Sequence, residues 1–341
     1  MNVKDTCYDN HSSVTPFPVY HFEFWKKYWI HMRPYLLFIS GTAALVGMAH
    51  IPDTNYFHLL LVFPSFFLSY GVCQAMTDVF QTDTDAISSP YRPLVRGEIT
   101  KKAVFLVSFV LITSGGLVMA YINPWLLAPC FVLVLGLSTY VFFKRTWWGG
   151  PPWNSWIAAM IPVGGRMMDP NFDVMKSFFP PNEASLPMFY TVLLVFFAYC
   201  NFVVAGYFKD ISADRATNYN TFQVRFGWFA SAIYSDILAA LSIIFTFLAI
   251  QPVLKQGGFA ATASLSLLIF TAILNIIAQI QLHIIRDEEK SNGPIATVVR
   301  SFILYCSAII IAFKPDWIPF LLINYILFEM VLKARPEKTQ V

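Results

Sequence analysis

The sequence predicts an all-α protein, a polytopic bundle of about nine or ten transmembrane helices with a polar cap that faces the cytoplasm. Hydrophobic residues make up 57% of its 341 positions and charged residues only 13%, which is too little polar surface for a soluble protein of this size. Apolar runs of about 18 to 25 residues recur along the chain, each long enough to cross about 30 Å of hydrocarbon. Lysine and arginine are also distributed unevenly between the two ends of these runs.

The apolar runs and the residues that break helices place the spans in order. They fall at 34–51, 56–80, 102–121, 124–143, 153–168, 187–207, 228–251, 259–285, 295–313 and 316–333. Pro162 and the glycine pair after it weaken the fifth span, and only residues 314–316 separate the ninth from the tenth. Nine and ten spans therefore both remain open. The predicted organisation is a cytoplasmic N-terminal segment (1–33), one transmembrane domain (34–333) and a short cytoplasmic tail (334–341).

The charges of the connecting loops predict the orientation. With ten spans, 18 of the 23 lysine and arginine residues fall on one face, and Arg300 lies within the ninth span. The other face receives Arg166, Lys176, Lys255 and Lys314. Because basic loops are retained in the cytoplasm, the richer face and both termini are predicted to be cytoplasmic. We expect an integral multi-pass membrane protein whose surroundings are the lipid bilayer, with no nucleic-acid partner.

Cysteine and histidine do not indicate a metal site. Cys7, Cys73, Cys130, Cys200 and Cys306 show no CxxC spacing, and the six histidines include no pair four residues apart. Most of the cysteines lie in apolar spans, where they serve as small buried residues. The first 30 or so residues mix charged and aromatic side chains, so no cleavable signal peptide is expected.

An acidic segment follows the second span, TDVFQTDTDAISSPYRPLVRG from Thr77. On a continuous helix, Asp78, Gln81 and Asp85 would lie at about 0°, 300° and 340°, on one side. Asp83 would lie near 140° and point elsewhere. The segment therefore presents a stripe of oxygen ligands at the end of an apolar span.

A second acidic segment, KDISADR from Lys209, follows the sixth span. Asp210 and Asp214 are four residues apart, so they share a helix face. Four spans separate the two segments, an even number, so both emerge on the same basic face. One interfacial aspartate or one loop lysine has an ordinary explanation, but two acidic stripes on one face, with bases nearby, indicate a site.

Oxygen ligands of this kind suit Mg²⁺, which binds through one or two carboxylates and is bridged to substrate phosphates. The predicted metal ligands are Asp78, Gln81, Asp85, Asp210 and Asp214, and the four aspartates among them are the predicted catalytic residues. Basic residues in neighbouring loops would bind a diphosphate: Arg33, Arg92, Lys144, Arg145, Lys209 and Arg215. A long apolar cavity beneath, between aromatic-rich helices, would suit a hydrocarbon tail.

At these residues the chain resembles the UbiA superfamily of intramembrane prenyltransferases, over about residues 30 to 313. Asp78, Asp85, Arg92 and Pro93 match the first family signature, Asn-Asp-x-x-Asp-x-x-x-Asp followed by Arg-Pro. KDISADR is similar to the second signature, and the VRFG from Val224 is also usual there. RPY at 33–35 and YVFFKR at 140–145 are similar to weaker landmarks.

Two departures from the family pattern affect the metal site. Thr77 and Gln81 stand where the family usually has Asn and the middle Asp. Gln keeps an oxygen ligand but removes one negative charge, which bears on how many metal ions the first signature holds. A tenth span also exceeds the usual nine.

The resemblance implies a UbiA-like transmembrane domain over 34–333, with a cytoplasm-facing cap over a lipid-accessible cavity. It also implies that Mg²⁺ on the aspartates neutralises the leaving diphosphate and promotes ionisation to an allylic cation. The leading hypothesis is transfer of a prenyl group to a hydrophobic acceptor, expected to be an aromatic ring. If no acceptor exists, the alternative is an intramembrane terpene cyclase, in which another part of the same prenyl chain captures the cation.

A transporter is the third class. It would place charged residues near the middle of the bilayer and show broken helices in related halves. Asp236 and Glu329 are the carboxylates that lie well within spans. We interpret each as a buried polar contact or a residue that faces the bundle, and not as a proton relay.

Overall fold

The protein is described by a computed structural model over residues 15–179 and 181–335. Cys7 and Lys4 of the predicted N-terminal segment, and Lys338 of the tail, lie outside the described residues. The α-helices in chain order are α1 (Phe22–His31), α2 (Tyr35–Ala49), α3 (Tyr56–Asp78), α4 (Thr82–Ser88), α5 (Lys101–Ile122), α6 (Leu127–Lys144), α7 (Gly150–Arg166), α8 (Val174–Phe178), α9 (Leu186–Gly206), α10 (Ile211–Ala216), α11 (Phe222–Gln256), α12 (Gly258–Ile284), α13 (Asn292–Phe313) and α14 (Ile318–Lys333).

Ten of these helices correspond one by one to the predicted spans: α2, α3, α5, α6, α7, α9, α11, α12, α13 and α14. The predicted fold class, an all-α polytopic bundle, is confirmed. The ten helices run alternately between two ends of the bundle. α4 and α10 lie together at one end, where Thr84 and Thr217 are joined by a hydrogen bond of 3.5 Å. These short helices form the polar cap.

The uncertainty between nine and ten spans lies at α7. Within 15–179 and 181–335, eight helices are long and apolar enough to cross a membrane, and α1 with α2, bent by 66°, makes a ninth candidate. α7 has 17 residues, which is about 25 Å of helix. It begins beside Lys144 in the cap and ends where Asn123 donates to the Met167 carbonyl at 2.8 Å. It therefore crosses the bundle from the cap to the opposite end.

The Pro-Val-Gly-Gly sequence that weakened the prediction of α7 is a packing surface. A Cβ atom at Gly165 would lie 2.3 Å from the Ala44 carbonyl oxygen, and one at Gly47 would lie 1.9 Å from the Pro162 carbonyl oxygen. Backbone therefore packs on backbone between α2 and α7, which only glycine permits. Pro162 and Gly165, which suggested an interrupted helix in the sequence, thus make the close contacts that hold the fifth span in the core.

The outer helices carry the apolar surface that faces lipid. α2 is buried along its whole length and α13 along nearly all of it, and both pack at the centre of the bundle. α5, α6 and α12 instead leave apolar side chains exposed, among them Phe109, Leu135 and Ile273. In a bilayer such side chains face hydrocarbon at no cost. The protein is an integral multi-pass membrane protein.

α1 is an element that the sequence analysis did not predict. It buries Phe24 and Tyr28 against α3 and α5, and the Tyr28 hydroxyl lies 2.8 Å from Ser108 Oγ. Its opposite side exposes Trp25 and Trp29, which suits the membrane interface. At ten residues it is too short to give the length signal of a membrane span.

Charged residues inside the spans are paired. Arg300 of α13 and Glu329 of α14 form a two-pronged ion pair with contacts of 2.5 and 2.9 Å. His283 of α12 lies 2.8 Å from the Asp236 carboxylate of α11. Asp236 and Glu329 thus make helix-to-helix contacts that face the bundle, but neither is fully buried, since their side chains are 40% and 21% exposed.

The Arg300–Glu329 pair should hold α14 against α13. Glu329→Ala leaves the guanidinium without its partner inside the bundle, and we expect a loss of about 2 kcal/mol of stability. The measurement is the thermal unfolding midpoint in detergent. The matched control is the double variant Arg300→Met with Glu329→Met, which removes both charges and should lose less than Glu329→Ala alone. An unchanged midpoint for Glu329→Ala would show that the pair contributes nothing.

Candidate functional site

The first acidic segment folds differently from the continuous helix predicted for it. α3 ends at Asp78, the backbone turns at Val79 and Phe80, and Gln81 (φ −122°, ψ 19°) precedes α4. The prediction of one extended helix is therefore wrong. Threonine and aspartate side chains compete for backbone hydrogen bonds and favour turns over helix interiors. Asp83 is nevertheless exposed, because α4 turns it outward.

Despite the break, the structure brings the predicted residues together around one polar cavity of about 100 Å³. It lies at the cap, between the ends of α3, α6 and α9. Eight of the predicted site residues line it: Asp78, Gln81, Asp85, Asp210, Arg33, Arg92, Lys144 and Lys209. Oxygen ligands from both acidic segments therefore share one cavity with four cationic side chains.

Two arginines hold the aspartates of the first segment. Arg33 Nη2 lies 2.5 Å from Asp78 Oδ2, and Arg92 Nη1 lies 3.4 Å from the same oxygen. Arg92 also contacts the Asp85 carboxylate. Gln74 Nε2 donates to Asp78 Oδ1 at 2.7 Å. Because Asp78 and Arg92 are both buried, these charges are strongly coupled, and a ligand that binds one of them must rearrange the other.

Lys144 connects the first acidic segment to the second. Its Nζ donates to Gln81 Oε1 at 3.3 Å and lies 5.3 Å from the centre of the Tyr219 ring. Its strongest electrostatic attraction is to Asp214, and it is also attracted to Asp210 and Asp85. The last residue of α6 therefore places one buried positive charge among carboxylates that come from two distant parts of the chain.

Asp214 lies behind this cavity, not on its surface. It is fully buried, accepts from Thr221 Oγ1 at 3.2 Å, and its Oδ1 atom has no hydrogen-bond partner among the described residues. Burial raises the pKa of Asp214 to about 7, while the positive charge of Lys144 opposes this shift and Asp210 adds to it. Asp214 is thus a carboxylate with one unused buried oxygen close to Lys144.

Two of the predicted diphosphate ligands, Arg145 and Arg215, do not line the cavity. Both are exposed, and the Arg145 guanidinium lies 5.0 Å from the Tyr219 ring centre. The structure does not bring either of them to the predicted diphosphate site. Position within a loop does not reveal which of two adjacent basic residues points inward, and here Lys144 does while Arg145 does not.

A second cavity, of about 290 Å³, is almost wholly apolar and lies between α3, α5, α6 and α7. Its wall on α6 includes Pro129, Cys130, Leu133 and Leu137, which follow one helix face. Tyr140 and Lys144 continue that face into the polar cavity. From Leu137 to Tyr140 the rise along the helix is about 4.5 Å. On α6 the linings of the two cavities are thus about one helix turn apart, and the expectation that the apolar cavity holds the tail of a diphosphate stays a prediction.

Comparisons with known proteins identify the family. The profile of the UbiA prenyltransferase family matches residues 36–322. The chain belongs to this family. A digeranylgeranylglyceryl phosphate synthase of Pyrococcus horikoshii is 23% identical over 256 residues, which are 70% of this chain and 85% of that protein. The suspected resemblance is confirmed, and the protein is a prenyltransferase by family.

Solved structures of UbiA homologues share the fold. The homologue from Aeropyrum pernix K1 superposes with a TM-score of 0.67 at 15% identity, over 80% of this chain and 96% of that one. The homologue from Archaeoglobus fulgidus bound to GPP and Mg²⁺ superposes with a TM-score of 0.58 at 18% identity, over 83% and 99%. At these identities the likeness establishes the helical architecture.

The cavity of this UbiA prenyltransferase contains residues that the sequence analysis missed. Tyr35, Tyr70, Tyr140, Tyr207 and Asn154 line it, and the Tyr140 and Tyr207 hydroxyls lie 3.0 Å apart. Gln74 could have been found, because it lies four residues before Asp78 on the same helix face. Tyr35 and Tyr140 lie within the RPY and YVFFKR landmarks, which gave a signal for them. Tyr70 and Tyr207 could not have been found, since 17% of the chain is aromatic and their positions in the spans resemble ordinary packing.

The residues of this UbiA prenyltransferase fit Mg²⁺ if the substrate completes its ligand set. Within the described residues, no three His, Cys, Asp or Glu side chains cluster closely enough to hold a metal ion alone. Carboxylates and an amide do converge from both segments, and Asp214 has an unused oxygen. Mg²⁺ commonly takes one or two carboxylates and completes its shell with phosphate oxygens and water. The donor set matches that pattern.

Proposed function

We propose that this prenyltransferase ionises a prenyl diphosphate in the polar cavity, on the cytoplasmic side and with Mg²⁺, and transfers the prenyl group to a hydrophobic acceptor, with an aromatic ring the expected class. One observation carries the proposal: oxygen ligands from two acidic segments and four cationic side chains share one cavity. The lining of an apolar cavity begins about one helix turn away on α6. The polar cavity would bind the diphosphate of such a substrate, and the apolar cavity would bind its hydrocarbon tail.

Arg33, Arg92, Lys144 and Lys209 would bind the diphosphate oxygens and hold them away from the hydrocarbon. Asp78, Gln81, Asp85 and Asp210 would hold Mg²⁺, and Asp214 would support it from behind the cavity. Bound there, Mg²⁺ neutralises the charge that grows on the leaving diphosphate. The Archaeoglobus fulgidus homologue bound to GPP and Mg²⁺ supports this pairing of metal and substrate.

The same residues direct the chemistry after the carbon–oxygen bond breaks. The diphosphate leaves with the bonding electron pair, and the cationic side chains keep it in place. The allylic cation would lie near the Tyr70, Tyr140 and Tyr207 rings, whose faces stabilise positive charge. The buried walls exclude water, which would otherwise capture the cation. The acceptor then forms the new bond and loses a proton.

The apolar cavity favours transfer over cyclisation. A cyclase folds its own chain around successive cations, and aromatic faces along the hydrocarbon path would stabilise them. In the described part of the chain, Phe66 is the one aromatic residue that lines the apolar cavity. The aromatic side chains instead surround the polar cavity, where the first cation forms.

The decisive experiment is product analysis. Purified protein in lipid receives Mg²⁺ and prenyl diphosphates of several lengths, first alone, then with a hydrophobic phenol, and then with a lipid alcohol. The third arm is included because the Pyrococcus horikoshii relative is named for a glyceryl phosphate product. Diphosphate release that needs the phenol supports the proposal. A cyclic hydrocarbon formed without an acceptor would show a cyclase, and a product with the lipid alcohol alone would overturn the aromatic acceptor.

The proposed orientation predicts which positions label from each side of the membrane. Asp83→Cys and Asn218→Cys lie in exposed parts of the two cap segments, and Lys255→Cys lies at the opposite end of the bundle. In a Cys7→Ser background, an impermeant maleimide should label Lys255→Cys from outside, and the two cap positions only after permeabilisation. Labelling of Asp83→Cys and Asn218→Cys from opposite sides would remove the shared site.

A further inference from the structure

We propose that Gly116 of α5 sets the length of the prenyl chain that the enzyme accepts. The inference rests on the proposed function, because it places the hydrocarbon chain of the prenyl diphosphate in the apolar cavity. It adds a specificity-determining position that lies far from the charged residues. On α6 the linings of the apolar and polar cavities come within about one helix turn of each other, at Leu137 and Tyr140, and the proposal places the entry of the chain there.

Gly116 is the glycine that leaves the cavity wall open. Gly115, Gly116 and Gly164 all line the apolar cavity. A Cβ atom at Gly115 would lie 3.4 Å from Ser65 Cβ, and one at Gly164 would lie 3.2 Å from a Phe66 ring carbon. These two glycines therefore lie at helix contacts. A Cβ atom at Gly116 would meet no heavy atom within 4 Å, so the absence of a side chain at this residue leaves open space beside the cavity wall.

Gly116 lies in the deeper half of the cavity wall on α5, which runs from Leu111 to Met119. α5 begins at Lys101, beside the cap, where Lys101 Nζ donates to Thr82 Oγ1 at 2.7 Å. Gly116 is fifteen residues further along the helix, which corresponds to a depth of about 22 Å. On α6 the apolar wall begins at Leu137, about 10 Å from Lys144. A short chain would therefore fill the near part of the cavity, and only a longer one would reach Gly116.

Glycine is common in transmembrane helices, and at this wall position its missing side chain leaves the cavity open. A larger side chain at this position would occupy the deeper part of the cavity. The length of chain that fits would then decrease, while the diphosphate end would be unaffected. Apolar pockets discriminate between chains that differ by few carbons through this kind of exclusion.

The test is equilibrium binding of prenyl thiolodiphosphates, whose sulfur bridge resists ionisation, with geranyl, farnesyl and geranylgeranyl chains. In Gly116→Leu we expect the affinity for the geranylgeranyl analogue to fall at least tenfold, and that for the geranyl analogue to stay within twofold. Gly116→Ala should rank the affinities for the three analogues in the same order, with smaller losses. The alanine variant therefore still tests the proposal if the leucine variant folds poorly. Equal losses for all three chains would overturn the proposal.

The matched control is Leu117→Phe. Leu117 is the next residue of α5, is 63% exposed and does not line the cavity, so added bulk there should change no affinity. The wild-type results separate the two proposals. A wild type that binds the analogues but turns over no prenyl diphosphate overturns only the proposed transfer reaction. Chain-independent losses in a catalytically active Gly116→Leu variant overturn only the role of Gly116.

Discussion

Asp78→Asn and Asp210→Asn are each expected to lower kcat/KM for the prenyl diphosphate by about 10²-fold or more. The substitution keeps the size of the side chain and removes its charge, so it removes a metal ligand of the preferred type. Asp78 and Asp210 come from different segments but line one cavity. Loss at both positions is therefore expected only if the segments act on the same substrate. The measurement is diphosphate release at saturating Mg²⁺, followed by a Mg²⁺ titration.

Asp83→Asn is the matched control. Asp83 belongs to the same acidic segment but is exposed on α4, and we expect its rate to stay within about threefold, since surface changes of this kind have small effects. Asp78 also pairs with Arg33 and Arg92, so folding of the Asp78→Asn variant is checked by its melting midpoint. If both Asp78→Asn and Asp210→Asn kept Mg²⁺-dependent turnover, ionisation would occur elsewhere.

The spans were predictable because length and apolarity are local properties of the sequence. α11 shows this at one residue: the predicted span began at position 228, and Gly227 has the non-helical torsions φ 79° and ψ 179°. Glycine adopts such a conformation without steric strain, so the break could be read from the sequence. α1 could not be predicted in this way, because its burial depends on α3 and α5, which are distant in the chain.

The candidate site was predictable in its parts, and its geometry was not. Spacing along one helix placed Asp78 and Asp85 on one side, and the structure brings them together by another route, through the turn at Val79 and Phe80 and contact with Arg92. The break depends on local competition for backbone hydrogen bonds. The positions of Asp214 behind Lys144 and of Arg145 outside the cavity depend on tertiary packing, which spacing does not contain.

Lys144→Met is expected to weaken inhibition by inorganic diphosphate at least tenfold. Lys144 is buried in the polar cavity and is attracted to Asp214, Asp210 and Asp85. Methionine keeps the apolar stem and removes the charge, so the cavity loses one of the cations that would bind a diphosphate. Arg145→Met, at the next residue, is the control. Because Arg145 is exposed, we expect its inhibition constant to stay within about twofold.

The dependence of the rate on Mg²⁺ concentration distinguishes the loss of a diphosphate contact in Lys144→Met from a general distortion of the site. Without the ammonium group the carboxylates attract a divalent cation more strongly, by Coulomb's law, so the Mg²⁺ concentration for half-maximal rate should not rise in Lys144→Met. A distorted site would weaken the responses to diphosphate and to Mg²⁺ together. An unchanged inhibition constant in Lys144→Met, or an equal change in Arg145→Met, would show that Lys144 has no special contact with the substrate. The Lys144 charge would then serve only to neutralise the aspartates around it.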